Sequence, residues 1–376
     1  MKVEVNSTAF ADAVAWTTSV ISARPTNPIL AGVKLQAIDG TLQLSAFTYE
    51  LSARDQIEAG VDEPGTVVVQ GKLLADISRA LPSEKTYLST AGSTMTITSG
   101  KSTFTMTLMS DSEYPDLPEL PPLLGQVDGE TFVQAVNQAA VAVSREDSRP
   151  VLTAVQMRVN GDEVTLSSTD RYRLARSTFR WTPQDEQVEA LALVGGAHLR
   201  DIAKAVDTNQ NVSVYLDPAN PTLIGVHNGG RVSTVQLIDG EFPSVDRLYA
   251  DEYPVHAVVD RAALLDAIKR VALVAERNAP IRMDFEGPQL VLTAGGTAAD
   301  EPSAREVLDV DLDGEDIRVA FNPSYLREGL SAIAEPFIRL KMTQATRPVE
   351  FNGQQEQDSD ESMAYRYLLV PMRFNS

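Results

Sequence analysis

The chain has 376 residues, 43% of them hydrophobic, with a formal net charge of −20 and no cysteine. This length predicts roughly two to four domains, and the absence of cysteine excludes disulfide frameworks and thiolate metal sites. The N-terminal MKVEVNSTAF has no apolar signal core, and no run approaches the ~18 apolar residues of a membrane span. The composition predicts a soluble, cytoplasmic protein. The acidic excess opposes nucleic acid binding unless basic residues are gathered on one surface, because screening over ~8 Å lets a basic lining act apart from a distant acidic face.

The first element is an amphipathic helix. Phe10, Val14, Thr17 and Ile21 fall on one helical face, Ser7 is its expected N-cap, and Pro25 follows it. Alternating strands come next, with a turn at Asp39-Gly40, and a second helix carries Leu74, Asp76, Ala80 and Leu81. This order then repeats. Phe10-Ala13-Val14 returns as Phe132-Ala135-Val136 and as Leu264-Ala267-Ile268. The second-helix pattern returns at Leu199, Asp201, Ala205 and Val206, and at Leu326, Glu328, Ala332 and Ile333. Asp128 is the expected cap of the second copy, and Pro150 and Pro280 follow the later first helices. The spacing far exceeds the ~20–50 residues of a solenoid unit, so each copy is a domain.

Each copy reads as helix, strands, helix, strands. The predicted fold class is α+β, three repeated domains with two helices packed on antiparallel sheet. The expected domains are 1–122, 123–250 and 251–376, joined by Pro115–Pro122, which is proline-rich and stiff, and by Asp246–Pro254. The polar run Gly353–Ser362 is expected to be a mobile hairpin tip.

Catalytic constellations are missing from the pattern. His198, His227 and His256 are far apart and form no metal-ligand pair. Residues 65–73 (GTVVVQGKL) have five residues between glycines and Leu73 where a phosphate loop needs Ser or Thr. An enzyme on a repeated α+β scaffold is therefore the weaker reading. No cofactor or metal is expected.

Four motifs in order carry a resemblance over essentially the whole chain. They are Arg24-Pro25-Thr26-Asn27-Pro28-Ile29-Leu30, Ser168-Thr169-Asp170-Arg171-Tyr172-Arg173-Leu174-Ala175, Gly240-Glu241-Phe242-Pro243, and the C-terminal Tyr367-Leu368-Leu369-Val370-Pro371-Met372-Arg373-Phe374. Together, on a threefold repeat, they resemble the bacterial DNA polymerase III beta subunit family of sliding clamps. The resemblance implies a head-to-tail homodimer closing a six-domain ring around duplex DNA, with no sequence recognition and no chemistry. It implies partners that bind through short peptides: the polymerase III alpha subunit, the clamp loader, other polymerases and repair proteins. A clamp paralogue serving drug tolerance or a specialised polymerase is the alternative.

The same resemblance implies site residues. A first peptide pocket would use Thr169, Arg171, Tyr172, Arg173, Leu174, Pro243 and Leu248. A second would use Leu152, Tyr325, Thr346, Pro348, Val349, Leu368, Leu369, Val370, Pro371 and Met372, with Arg149 and Arg247 nearby. The basic candidates for a DNA-facing lining are Arg24, Lys72, Arg79, Arg145, Lys204 and Arg277, with Lys269 and Arg270 beside them. Phe104, Met106 and Leu108 are expected to meet Leu273 and Val274 across the subunit boundary. The chain departs from the family at Arg171, where many members have Gly, at Val370 and at Phe374.

Overall fold

The computed structural model describes residues 1–22, 24–146, 148–275, 279–296 and 302–373. Among them are six α-helices in three pairs: α1 (Ser7–Thr18) and α2 (Gly71–Arg79), α3 (Gly129–Ala139) and α4 (Gly196–Lys204), α5 (Arg261–Val271) and α6 (Pro323–Ser331). All strand pairings are antiparallel. The three copies are thus α+β, as the repeat predicts.

The helices are shorter than their hydrophobic spacing suggests. α1 ends at Thr18, short of Ile21, while Phe10, Ala13, Val14 and Thr17 form its buried face. Its cap is Asn6, whose Oδ1 accepts the N–H groups of Thr8 and Ala9 at 3.0 Å each. Ser7, the expected cap, is buried and its hydroxyl bonds Thr86 Oγ1 at 2.7 Å. A cap must sit at the half-exposed first turn with its oxygen over the free N–H groups; Ser7 is already one residue inside. In the third copy Asp260 caps α5 and Asn322 caps α6 ahead of Pro323.

The chain divides into two compact units. The first holds Met1–Glu130, Thr182–Glu186 and Lys204–Leu237. Its strands make a thirteen-stranded sheet in which the first copy's eight strands pair in a closed circuit, because Lys2–Asn6 bonds both Lys85–Ala91 and Leu51–Glu63. The circuit encloses Phe10 and Val14 of α1, Leu74 and Ile77 of α2, and Leu35, Leu44 and Ile97 of the strands. The hairpin from Gly32–Ile38 to Thr41–Phe47 turns on Asp39 and Gly40, with φ of 46° and 76°. Two positive φ angles in a two-residue loop match the right-handed twist of the strands.

The second unit holds Thr131–Trp181, Gln187–Ala203 and Ile238–Ser376, with a nine-stranded and a four-stranded sheet among the described residues. Its main core joins Leu264 and Ile268 of α5 and Leu326 and Leu330 of α6 to Phe285, Phe321, Phe351 and Tyr367. The second copy is shared between the units because its strands continue its neighbours' sheets. Arg231–Gln236 pairs with Leu51–Glu63, and Arg173–Arg180 pairs with Glu361–Leu369.

Several strands are paired on one side only among the described residues, Glu189–Gly195 and Ile317–Phe321 included, and two more carry edges on the first and third copies. Ser102–Met109 pairs fully with Thr94–Ser99, but on its other side only Leu108 and Met109 find partners. Ser303–Asp309 pairs only with Gln289–Gly295 among the described residues. In the single chain Ser102–Met109 already leans on its own core. Met106 is buried in the first copy's core, and Phe104 and Leu108 pack against it. Phe104 and Leu108 stay half-buried, and Thr103, Thr105 and Thr107 face outward, since successive residues of a strand point to opposite faces. In the third copy Val274 also packs on its own core, whereas Leu273 is 84% exposed.

Among the described residues no helix is long and apolar enough to cross a membrane. The run expected to be a loose tip is the turn between Val349–Gln354 and Glu361–Leu369, tied by Gln354 Nε2 donating to the Gln357 carbonyl at 2.7 Å.

Candidate peptide groove and its neighbourhood

The site begins with a tight turn between two strands of the second unit, Glu163–Thr169 and Arg173–Arg180. Asp170 Oδ1 accepts the N–H groups of Tyr172 and Arg173 at 3.0 Å each. Thr169 Oγ1 accepts the N–H of Arg171 at 3.2 Å and donates to the carbonyl of Arg173 at 2.7 Å. These bonds fold the backbone so sharply that Arg171 sits at φ 80°. A non-glycine residue there costs roughly 1–2 kcal/mol.

Arg173 points inward and is almost wholly buried. Its Nε donates to Asp170 Oδ2 at 2.9 Å and a terminal nitrogen donates to Glu328 Oε2 on α6 at 2.6 Å. Its guanidinium carbon lies 4.1 Å from the centre of the Tyr325 ring. Tyr325 is held in turn by Tyr367, whose hydroxyl donates to the Tyr325 carbonyl at 2.9 Å. α6 can lie this close because residue 329 is glycine; a Cβ there would come within 2.1 Å of the Tyr367 ring.

These groups border a cavity of about 260 Å³. Of the residues expected in the two pockets, it brings together Arg149, Leu152, Arg171, Tyr172, Arg173 and Tyr325. Arg145, expected among the DNA contacts, also lines it and pairs with Glu328 at 3.6 Å. The chain end docks beside this turn. Val370 donates its N–H to the Tyr172 carbonyl at 2.9 Å, and Met372 donates to the Ala320 carbonyl at 2.7 Å. Val370 is exposed, and Pro371 and Met372 are half-buried.

Other expected pocket residues lie underneath. Leu174 and Leu368 are register partners, 1% and 2% exposed, in a small core with Phe242 and Val245. Thr169 is buried in the turn, while Val349 and Leu369 belong to the main core with Phe351. These side chains support the groove and offer a ligand no open surface. Pro243, Arg247, Leu248 and Thr346 are exposed and Pro348 is half-buried, but none of them borders the cavity.

Sequence reasoning missed two parts of the site. Glu328 was visible as the acidic position of the repeated helix pattern, yet nothing in that pattern tells which carboxylate will meet an arginine. The second part is a buried charge network on the nine-stranded sheet. Glu350, wholly buried, accepts from Arg366 Nε at 2.6 Å and from the Tyr253 hydroxyl at 2.7 Å, with Lys341 Nζ 3.3 Å away. Burial pushes its carboxyl up, but those two hydrogen bonds and the cations outweigh burial and hold it below the usual carboxylate range. The Arg366 guanidinium lies 3.6 Å from the Tyr249 ring centre, and Arg176 donates to Asp246 at 2.5 Å. Burial pushes the Tyr249 phenol up to about 12, against the pull of both arginines. The network therefore clamps the segment from Asp246 to Tyr253, which carries Arg247 and Leu248.

The expected DNA contacts are scattered over the helices and loops. Lys72 and Arg79 are exposed one week-like interval of seven residues apart on α2, hence on one face. Arg79 pairs with Asp76 at 3.4 Å. Arg24 is exposed, and Lys204 is exposed in the last turn of α4. Lys269 and Arg270 are engaged with Asp266 and Glu306. Arg277 and Phe374 lie outside the described residues.

Residues 1–118, 126–244 and 247–369 match, in order, the N-terminal, central and C-terminal domains of the DNA polymerase III beta subunit. The chain belongs to the DNA polymerase III beta subunit family. Its similarity to the beta sliding clamp of Streptomyces coelicolor is 44% identity over 377 residues, covering the whole of both chains. It is 35% identical, again over the whole of both chains, to the beta sliding clamp homolog GriR of Streptomyces muensis. Its fold matches the crystal structure of the Bacillus subtilis DNA polymerase sliding clamp with a TM-score of 0.91 at 23% identity, covering all of both chains. This beta subunit family member is a sliding clamp, a processivity factor of DNA replication and not an enzyme. The threefold repeat has its explanation in that role.

Proposed function

We propose that two copies of this clamp, each of three domains bounded near residues 122 and 250, join head to tail in a ring. The ring encircles duplex DNA without reading its sequence and tethers the replicative polymerase, the clamp loader and repair proteins by short peptides. The observation that carries the assembly is that Ser102–Met109 in the first copy and Ser303–Asp309 in the third, the latter beside the exposed Leu273 end of α5, each leave an edge unpaired. An open edge invites a strand from another chain. Edges of two different kinds make a heterologous contact, which closes into a ring when the rotation closes.

A ring with net negative chains holds DNA by topology, aided by diffuse contacts from Arg24, Lys72, Arg79 and Lys204. Once loaded on circular DNA, the clamp is therefore expected to survive high salt and to slide off after linearisation. Free rings should bind a short duplex weakly, with affinity falling steeply as salt rises. Gel filtration of loaded complexes before and after cutting measures this; tight, sequence-dependent binding to a short linear duplex would contradict it.

Partner peptides bind in the groove beside Arg171, Tyr172 and Tyr325, with the chain end as one wall. A clamp lacking residues 370–376 loses the Val370 and Met372 hydrogen bonds but little core. It should remain a dimer and stay on circular DNA, yet bind a polymerase-derived peptide at least roughly tenfold more weakly, which is ~1.4 kcal/mol. Unchanged peptide affinity by fluorescence anisotropy would move the groove elsewhere.

A further inference from the structure

We infer that Arg171 is a specificity-determining residue that selects peptides carrying a carboxylate next to their apolar anchor; this rests on the groove assigned above. Three observations lead there. Arg171 keeps a left-handed backbone, φ 80°, that glycine would adopt without strain. Strain of this kind persists where the side chain is used and the surroundings fix it, and here Asp170 and Thr169 fix it with four hydrogen bonds.

The second observation concerns charge. Four arginines line the cavity: Arg145, Arg149, Arg171 and Arg173. Arg173 and Arg145 are matched by Asp170 and Glu328. Arg149 and Arg171 are exposed and, among the described residues, have no carboxylate partner. With Glu146 as the one further carboxylate on the lining, four arginines face three carboxylates, and the cavity is net positive in a chain of net charge −20. The third observation is placement. The Arg171 guanidinium lies 5.9 Å from the centre of the Tyr172 ring, which is itself exposed on the cavity wall. Aromatic face and planar cation therefore stand side by side, one suited to an apolar anchor and the other to a two-point hydrogen bond with a carboxylate.

The test uses the full-length dimer and two fluorescein-labelled hexapeptides that differ only in ending Asp-Leu-Phe or Asn-Leu-Phe. The parent is expected to bind the Asp peptide at least fivefold more tightly in low salt, with the gap shrinking in high salt as screening grows. Arg171→Gly and Arg171→Gln should both bring the two affinities within twofold of each other. Arg171→Gly should also melt no lower than Arg171→Gln, because it relieves the φ strain; this separates backbone from charge. Equal binding of the two peptides by the parent, or a preference that survives both substitutions, overturns the inference. If the parent binds neither peptide at millimolar concentration, the groove assignment itself falls and the inference with it.

Discussion

Leu273→Asp should turn the dimer into monomers at low micromolar concentration. Leu273 is 84% exposed in the single chain, at the end of α5, the helix that meets the open strand Ser303–Asp309 through the Arg270–Glu306 ion pair. A large apolar side chain so exposed beside an open edge is suited to burial by another chain. Placing a carboxylate there would strand an unpaired charge in each contact, on the order of 2–4 kcal/mol apiece. A two-chain ring has two such contacts, so the effect doubles. The substitution touches no core, and the monomer should keep the parent's circular dichroism and thermal midpoint. Sedimentation velocity reads the outcome, and a variant that stays dimeric at that concentration sinks the assignment. Met106→Asp is the contrasting control: it enters the first copy's core and should unfold the domain rather than separate the chains.

Glu350→Gln should be the most damaging isosteric change in the second unit. It leaves Arg366 and Lys341 beside a neutral amide in a fully buried place. Removing one partner of a buried ion pair costs about 3–5 kcal/mol. The same group sets a pH dependence. Its folded pKa is depressed, so its stabilisation is present above the unfolded value near 4.3 and is lost as pH falls through the folded one. The parent should weaken in acid below about pH 4, and the variant, already lacking the charge, should show a flatter acid limb. Urea midpoints from pH 3 to pH 7 measure both effects. Equal midpoints for parent and variant at pH 7 would remove the network from any role in stability. Because the network also clamps Asp246 and Tyr249, the variant should loosen the segment carrying Leu248.

The amino-acid sequence by itself determined the threefold repeat, the α+β order of each copy, and the family. Those features are local: a helix face recurs at Phe10 and Val14 because burial demands it, and a turn recurs at Asp39-Gly40 because positive φ favours those residues. The turn motif around Asp170 was legible for the same reason. Tertiary structure alone decided which side of a strand faces in. Phe104, Met106 and Leu108 alternate as an interface strand would, but alternation names two faces without saying which is covered. It alone decided, too, that Leu174 and Leu368 lie beneath the groove and Tyr172 on it, since an apolar side chain suits a core and a pocket equally. Pairings such as Arg173 with Glu328, or Glu350 with Arg366 and Tyr253, join residues remote in sequence or on neighbouring strands. Charge type is written in the chain, but partnership depends on which elements pack together, and only the fold fixes that.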